Sequence, residues 1–264
     1  MTTLIFADVH LKATPDGEAD SKAFTQFLRT INDGRYGRII VLGDLFDFWF
    51  EYRHVIFSGY FDVLRAFAAL HDNGVELHLV SGNHDFWAGR FLRNSIGFAL
   101  HPESLVLKEG GMRVLFAHGD GLNPRDLGYR VYKNFARARP VISLFRLLHP
   151  DWAMALAMRV SHGSRALRTP DQPSDNQERP ALHDFARRTV AEGGADVVIC
   201  GHTHFPERES YPAPAGEGTY LNTGDWMNHR SYVEWRGHDF VHQYWNDAEQ
   251  APARINASDV LARA

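Results

Sequence analysis

Five short segments of this 264-residue chain carry residue types that bind metal ions, and each segment directly follows a run of apolar residues. In an open α/β sheet, the carboxyl ends of the strands line the ligand crevice. Segments that are far apart in the sequence are therefore expected to meet at one rim of a sheet. The segments read ADVH, GDLFD, GNHD, AHGD and GHTH, and their candidate ligands are Asp8, His10, Asp44, Asn83, His118, His202 and His204.

The chemistry of these side chains indicates a dinuclear metal centre. Imidazole, carboxylate and amide oxygen suit Mn²⁺, Fe and Zn²⁺, and the absence of thiolate ligands disfavours a structural zinc site. Seven ligands are too many for one ion, so we expect Asp44 to bridge two ions that lie about 3.5–4 Å apart. The other six would divide into Asp8, His10 and His204 for one ion and Asn83, His118 and His202 for the other. With a bridging hydroxide the centre keeps a charge of about +1, which attracts phosphate anions.

No single motif carries this prediction. A lone histidine at the end of a strand is usually an ordinary polar residue, and the strings DxH and GD are common. GNHD and GHTH are much rarer, and all five segments stand at predicted strand ends. Their combination favours a two-metal phosphoesterase, in which an activated water attacks phosphorus in line, over a purely structural role.

The elements that position these segments alternate between strands and helices. Apolar runs predict buried strands at 3–7, 38–42, 75–80 and 196–200, and helical spacing of apolar residues predicts helices at 20–31, 60–70 and 181–192. A hairpin is expected around Gly110 and Gly111, residues 169–180 resemble a polar loop, and further strands are expected at 219–222, 232–235 and 240–245. The alternation predicts an α/β sheet with helices on both faces.

Composition excludes several classes of protein. The sequence has one cysteine, Cys200, so an internal disulfide and a cysteine-based metal cluster are excluded, and its apolar surroundings predict a buried, unreactive thiol. A net charge of −4 argues against a general nucleic-acid-binding protein. The sequence lacks an apolar stretch of transmembrane length and a secretory signal, so we expect a cytoplasmic protein.

Residues 122–169 differ from the rest of the chain in charge. They contain nine Lys or Arg residues and two acidic residues, and they are also rich in large apolar side chains. The pattern is mostly helical, with breaks at Pro140 and Pro150. One interpretation is a helical hairpin that packs on the core with solvated arginines. The other is a lid with an apolar groove for acyl chains, whose arginines face phosphates and membrane headgroups.

The five motifs, in this order, resemble those of the calcineurin-like metallophosphoesterase superfamily. The resemblance implies a single domain over residues 1–264, with the four-layer αββα sandwich of that superfamily and a helical cap inserted at 122–169. It also implies that His84 acts in catalysis, by protonating the leaving oxygen or by holding the phosphate. Asp85 or Asp47 would orient the His84 ring, and we expect Asp85 to be part of the catalytic group.

A closer resemblance concerns HGDGLNPRDLGY, GDLFDFWF and NTGDWMNHRSYV, which look like motifs of the UDP-2,3-diacylglucosamine hydrolases of lipid A synthesis. That family implies hydrolysis of a lipid-linked nucleotide diphosphate to UMP and a lipid monosaccharide phosphate, with Mn²⁺ as the usual metal. It further implies transient contact with the inner membrane and no nucleic-acid partner. By the same motifs, Asp126, Tyr129 and Arg159 would contact the substrate.

Two alternatives remain open on the sequence. The best-known branch of that family reads GNRD where this chain reads GNHD, which leaves room for another phosphodiester or nucleotide diphosphate as the substrate. A nuclease would be expected to interleave its basic residues with exposed aromatic ones, unlike residues 135–168. A non-catalytic scaffold with this fold should have lost ligands, whereas this chain has all seven.

Overall fold

The computed structural model of the chain describes residues 1–123, 127–156, 159, 175–246 and 251–253. Its helices are α1 (Glu18–Thr30), α2 (Phe61–Asp72), α3 (Leu127–Ala136), α4 (Arg139–Phe145) and α5 (Asp175–Ala191). Its strands are β1 (Thr2–Phe6), β2 (Arg38–Val41), β3 (Glu76–Val80), β4 (Phe98–His101), β5 (Ser104–Glu109), β6 (Met112–Ala117), β7 (Val197–Cys200), β8 (Glu207–Ala213), β9 (Gly216–Asn222), β10 (Ser231–Arg236), β11 (Asp239–Asn246) and β12 (Ala251–Ala253).

The strands form two sheets. The first has seven strands in the order β12-β11-β10-β1-β2-β3-β4, in which β1 to β4 run parallel and β10 pairs antiparallel with β1. The second has five strands in the order β5-β6-β7-β9-β8, with β6, β7 and β9 parallel. In each sheet the parallel strands are neighbours, so the loops that follow them emerge at the same edge.

Alternation along the central strands explains the layers. In β1, Leu4 and Phe6 pack into a core with α1 and α2, whereas Ile5 packs into a second core between the two sheets. Side chains alternate between the faces of a strand, so a strand buried on both faces must be apolar throughout. On the outer face of the second sheet, Leu182 of α5 packs with Val198 of β7. The predicted αββα sandwich is confirmed.

Three strands were absent from the predictions, and all three lie at the edge of a sheet. β4 and β12 are the two edge strands of the seven-stranded sheet, and β8 is an edge strand of the five-stranded one. Side chains of an edge strand can face solvent while its backbone still pairs, so such a strand needs no long apolar run. The sequence of β8, ERESYPA, is mostly exposed and therefore lacks the hydrophobic signal on which a strand prediction depends.

The prediction of a loop over residues 169–180 is wrong at its C-terminal end. Residues 175–180 belong to α5, and Pro180 lies inside that helix. A proline in a helix removes a backbone hydrogen bond. The burial of Leu182 and Ala186 against the second sheet offsets this cost.

Two other expectations can be compared with the structure. Cys200 is fully buried, as predicted, and burial raises the pKa of its thiol to about 12. Within the described ranges, no helix combines the length and the apolar character that crossing a bilayer requires.

The described residues 127–156 are largely helical and are called the helical segment below. α4 has Pro140 in its first turn, and further helical residues begin at Pro150, so both predicted breaks are places where a helix starts. The ring of Phe145 lies 4.9 Å from that of Trp87, whose indole N–H donates to the carbonyl of Ala136 at 3.0 Å. The helical segment is therefore held against the loop that follows β3.

Candidate metal centre

The predicted ligands converge at the edge where β1, β2, β3, β6 and β7 end. Backbone hydrogen bonds tie two of these loops together, from the N–H of Asp8 to the carbonyl of Gly43 and from that of His10 to Asp44. Non-glycine residues with positive φ cost about 1–3 kcal/mol each and cluster at functional sites. Five of the predicted ligands have such a conformation, namely Asp8, His10, Asp44, His202 and His204, with φ between 49° and 71°.

The first predicted set of three ligands forms a compact group. Oδ1 of Asp8 lies 3.4 Å from Nε2 of His204 and 3.7 Å from Nε2 of His10. One donor atom from each of these residues falls within 4.8 Å of the others, which is a spacing that a single metal ion can span. Asp8 itself is fixed because its Oδ2 accepts the backbone N–H of His202 at 2.7 Å.

Asp44 stands between the first group and the second. Its Oδ2 lies 3.7 Å from Nε2 of His10 on one side and 3.5 Å from Nε2 of His118 on the other. Nε2 of His118 is in turn 3.2 Å from Oδ1 of Asn83, and the His118 and His202 rings are 5.0 Å apart between centroids. This placement is what a bridging carboxylate requires.

Buried polar atoms test whether metal ions fit these residues. Oδ1 of Asp8 and Nε2 of His10 are buried and have no hydrogen bond, which would leave a desolvation cost of about 1–3 kcal/mol for each. Nδ1 of His118 lies 2.7 Å from the carbonyl of Leu42 and donates to it, so Nε2 keeps its lone pair toward Asp44. Divalent cations on these atoms would remove the cost, and the donor set fits two such ions.

The electrostatics agree with a cation site. Burial acts to raise the pKa of Asp44, but the imidazoles of His118, His84 and His10 outweigh it and hold that pKa well below its usual value. Burial, together with the neighbouring His118, lowers the pKa of His202 to about 4. The central carboxylate is therefore an anion at neutral pH, and the His202 ring is neutral with a lone pair to donate.

His84 lies beside this group. Its Nδ1 is 2.8 Å from the carbonyl oxygen of Asp47 and donates to it, which leaves Nε2 3.9 Å from Oδ2 of Asp44. Oδ1 of Asp47 approaches two rings, at 3.4 Å from Nδ1 of His10 and 3.7 Å from Nδ1 of His84. Of the two carboxylates considered from the sequence, Asp47 is the one that can orient the His84 ring.

Asp85 has a different position from the one expected. It is fully buried, and its carboxylate accepts the backbone N–H of Gly82 at 2.8 Å and that of Leu45 at 2.9 Å. Burial, with the neighbouring Asp44, raises its pKa to about 7. These bonds join the loops after β2 and β3, so Asp85 positions Asp44 and Asn83 through the backbone. Its described hydrogen bonds do not include the His84 ring.

Asp225 was not predicted as a site residue. It follows β9 and is fully buried, with Oδ2 3.5 Å from Nδ1 of His204 and Oδ1 2.9 Å from Nδ1 of His229. A carboxylate that accepts a hydrogen bond from the ring nitrogen that does not bind the metal fixes the tautomer and the orientation of a metal-binding histidine. The sequence signal is the string GDW, one residue after the predicted strand 219–222, which resembles the signal that identified Asp44.

The predicted substrate contacts have different outcomes. Asp126 lies outside the described residues. Arg159 has a helical backbone, and its side chain is exposed. The hydroxyl of Tyr129, in α3, donates to Oδ2 of the buried Asp120 at 2.6 Å, and Nζ of Lys133 lies 2.8 Å from the same oxygen. Asp120 is two residues beyond His118, so this network joins the start of the helical segment to the metal loop. Asp120 is the last residue of the AHGD motif, and the sequence does not indicate this role for it.

Comparisons with known proteins bear on the identity of the site. The family model described as calcineurin-like phosphoesterase matches residues 1–206, which include all seven candidate ligands. The chain belongs to this family. As a calcineurin-like phosphoesterase it is a metal-dependent hydrolase, and the groups described above are residues that could hold its divalent ions.

Curated relatives cover most of the chain. A UDP-2,3-diacylglucosamine hydrolase from Porphyromonas gingivalis is 30% identical over 80% of this chain and 84% of its own. Proteins of the same name from Aeromonas salmonicida and Neisseria meningitidis serogroup B are 30% and 33% identical, over 88% and 77% of this chain and 89% and 81% of theirs. Among solved structures, Vps29 of Entamoeba histolytica with Zn²⁺ aligns over 96% of both chains, at 16% identity and a TM-score of 0.47.

Proposed function

We propose that this phosphoesterase hydrolyses the diphosphate of UDP-2,3-diacylglucosamine to UMP and 2,3-diacylglucosamine 1-phosphate. The observation that carries the proposal is an exposed apolar surface on the helical segment, whose first helix begins a few residues after the His118 loop. A site for a small, fully polar phosphoester would gain nothing from such a surface. The shared name of the curated relatives points to the same substrate.

One face of α3 is apolar and exposed. Leu127, Val131 and Phe135 follow one another at intervals of four residues, and each has more than 60% of its surface accessible. Residues at this spacing share one face of a helix. Apolar patches of this kind on a soluble protein mark binding surfaces. Acyl chains are the apolar part of the proposed substrate, and this face is their proposed contact.

The apolar surface extends beyond α3 and is mixed with arginines. Leu144, Leu147 and Trp152 are each about 70–80% exposed. Exposed arginines on the same segment are Arg130, Arg139 and Arg146, and the exposed Arg159 lies three residues beyond its end. An apolar surface with basic residues suits an anionic amphiphile and the headgroups of a membrane. We therefore extend the proposal to transient contact with the membrane surface that holds the lipid substrate.

The site residues have separable proposed roles. Asp44 and the two sets of three ligands would hold two divalent ions, for which Mn²⁺ is our proposal. Such ions supply an activated water and neutralise charge on the phosphate. Nδ1 of His84 donates to the Asp47 carbonyl, so Nε2 is the nitrogen that would contact the leaving oxygen, and it gives a proton to that oxygen when the ring carries both protons. Tyr129, Asp126 and Arg159 remain the proposed substrate contacts.

The test compares two phenylalanines with the same exposure. Phe135 on α3 is 63% exposed, and Phe61 on α2 is 64% exposed and far from the helical segment in sequence. Purified protein with Mn²⁺ is incubated with UDP-2,3-diacylglucosamine, and UMP and the lipid phosphate are quantified. A water-soluble aryl phosphodiester without acyl chains serves as the reference substrate. Phe135→Gln should lower kcat/KM for the lipid substrate relative to the aryl diester, and Phe61→Gln should leave both values unchanged.

Two results would count against the proposal. Hydrolysis of the aryl diester without release of UMP from the lipid substrate would leave a phosphoesterase with another substrate. An equal effect of Phe135→Gln on both substrates would show that the apolar face does not select for acyl chains.

A further inference from the structure

Asp225 connects two imidazoles rather than one. Its Oδ2 faces Nδ1 of the candidate ligand His204 at 3.5 Å, and its Oδ1 accepts a hydrogen bond from Nδ1 of His229 at 2.9 Å. The backbone N–H groups of Asn228 and His229 donate to the same carboxylate, as does the side-chain amide of Asn228 at 2.8 Å. The carboxylate is therefore held within the turn 225–229, and so is the ring that it orients.

The ring of His229 retains one nitrogen for a ligand. Nδ1 is used by Asp225, so Nε2 is the nitrogen that remains, and the side chain is 27% accessible to solvent. The ring also lies against Phe205, the residue after His204, at 6.3 Å between centroids. His229 is thus separated from the candidate ligand His204 by the carboxylate of Asp225 alone, although it belongs to neither set of candidate ligands.

Two imidazoles outside the ligand sets, those of His84 and His229, neighbour the candidate ligands. The ring of His10 is 4.8 Å from that of His84 and 5.2 Å from that of His204, and His229 follows beyond His204 through Asp225. One flanking contact is sufficient for a phosphate ester with a single phosphoryl group. A diphosphate has a second phosphoryl group one bridging oxygen away, and its charge needs a donor of its own beside the metals.

We propose that His229, held by Asp225, binds the phosphoryl group of a diphosphate substrate that is not attacked, and so selects diphosphates over simple phosphodiesters. This inference rests on the proposed function, because it assigns the second phosphoryl group of that substrate. Nε2 of His229 donates a hydrogen bond to an oxygen of this group when the ring carries both protons. Asp225 is a positioning residue for His229 and for His204.

Paired substitutions separate this role from a structural one. In His229→Asn, the amide nitrogen takes the place of Nδ1, so the bond to Asp225 and the turn are kept while the outer nitrogen is lost. In His229→Gln, the amide nitrogen lies near the place of Nε2, so the outer donor is kept. A residue that only stabilised the turn would tolerate Asn better than Gln, and a residue that binds phosphate would show the reverse order.

The experiment uses the full chain with Mn²⁺ and compares UDP-2,3-diacylglucosamine with an aryl phosphodiester. The quantity compared is kcat/KM for the UDP lipid divided by kcat/KM for the aryl diester. We expect His229→Asn to lower this ratio about 10- to 100-fold, because it removes one hydrogen bond to a charged group. His229→Gln should keep a higher ratio than His229→Asn. His238→Asn, at an exposed histidine in the turn between β10 and β11, is the control and should leave both values unchanged.

Product-like inhibitors give a readout that does not depend on the lipid. UDP has two phosphoryl groups and UMP has one, so the wild-type protein should bind UDP more tightly when each competes with the aryl diester. His229→Asn should reduce the ratio of the UMP and UDP inhibition constants about tenfold or more. An unchanged ratio of inhibition constants would overturn the role of His229. Failure of the wild-type protein to cleave the UDP lipid would instead overturn the proposed function.

Discussion

Gly82→Ala is the sharpest test of Asp44 as the bridging ligand. Gly82 lies between β3 and Asn83, and a Cβ atom on it would be 2.1 Å from Oδ1 of Asp44 and 2.6 Å from the backbone nitrogen of Asp44. Its backbone conformation is open to alanine, so the effect is steric. The same Oδ1 accepts the N–H of His84 at 2.9 Å, so the carboxylate cannot move without breaking that bond.

The size of the effect follows from these distances. Ordinary van der Waals contact begins at 3.4 Å, so the added Cβ atom and Oδ1 of Asp44 must move apart by about 1 Å. Oδ2 of Asp44 is already within 3.7 Å of both His10 and His118, and a shift on this scale removes it from one of them. A misplacement of about 1 Å can lower an enzyme's rate about 100-fold, which is about 2.7 kcal/mol in the activation free energy.

The assay measures metal content after dialysis and kcat/KM for an aryl phosphodiester. Gly74→Ala is the matched control, because a Cβ there meets nothing within 4 Å although its φ is +87°. That variant should be somewhat less stable but should keep both ions and full activity. The unfolding of both variants is also measured in the presence of a chelator, so that a loss of folding stability can be distinguished from a loss of metal binding. Wild-type metal content and kcat/KM in Gly82→Ala would refute the placement of Asp44.

Three further predictions concern single side chains. Asp47→Asn should weaken metal binding about 10- to 100-fold in calorimetric titrations, because its carboxylate orients His10; an unchanged affinity would contradict this role. His84→Ala should lower kcat about 10²- to 10⁴-fold while both ions stay bound, and loss of an ion would show instead that His84 is a ligand. Cys200 should not react with a thiol reagent at pH 8 until the protein unfolds, since burial raises its pKa to about 12, and fast labelling of the native protein would disprove this.

The sequence by itself determined the fold class and the candidate ligands. Central strands bury side chains on both faces, so β1, β2, β3 and β7 are visible in the sequence as runs rich in apolar residues. The ligands follow such runs directly, and the edge of a parallel sheet brings them together whatever the loops do. The basic and apolar character of 122–169 is likewise a property of composition. These features are local, which is why a sequence alone can show them.

The tertiary structure decided which side chains meet around the ligands. Asp47 rather than Asp85 approaches the His84 ring, and Asp225 reaches His204 from a loop that is distant in sequence. The edge strands β4, β8 and β12 also became visible only in the structure, and in β8 the reason is that exposed side chains give no hydrophobic signal. Contacts of this kind depend on the conformation of loops, where a rotation of one residue redirects a carboxylate. Residue type and spacing do not specify that conformation, and packing of the whole chain does.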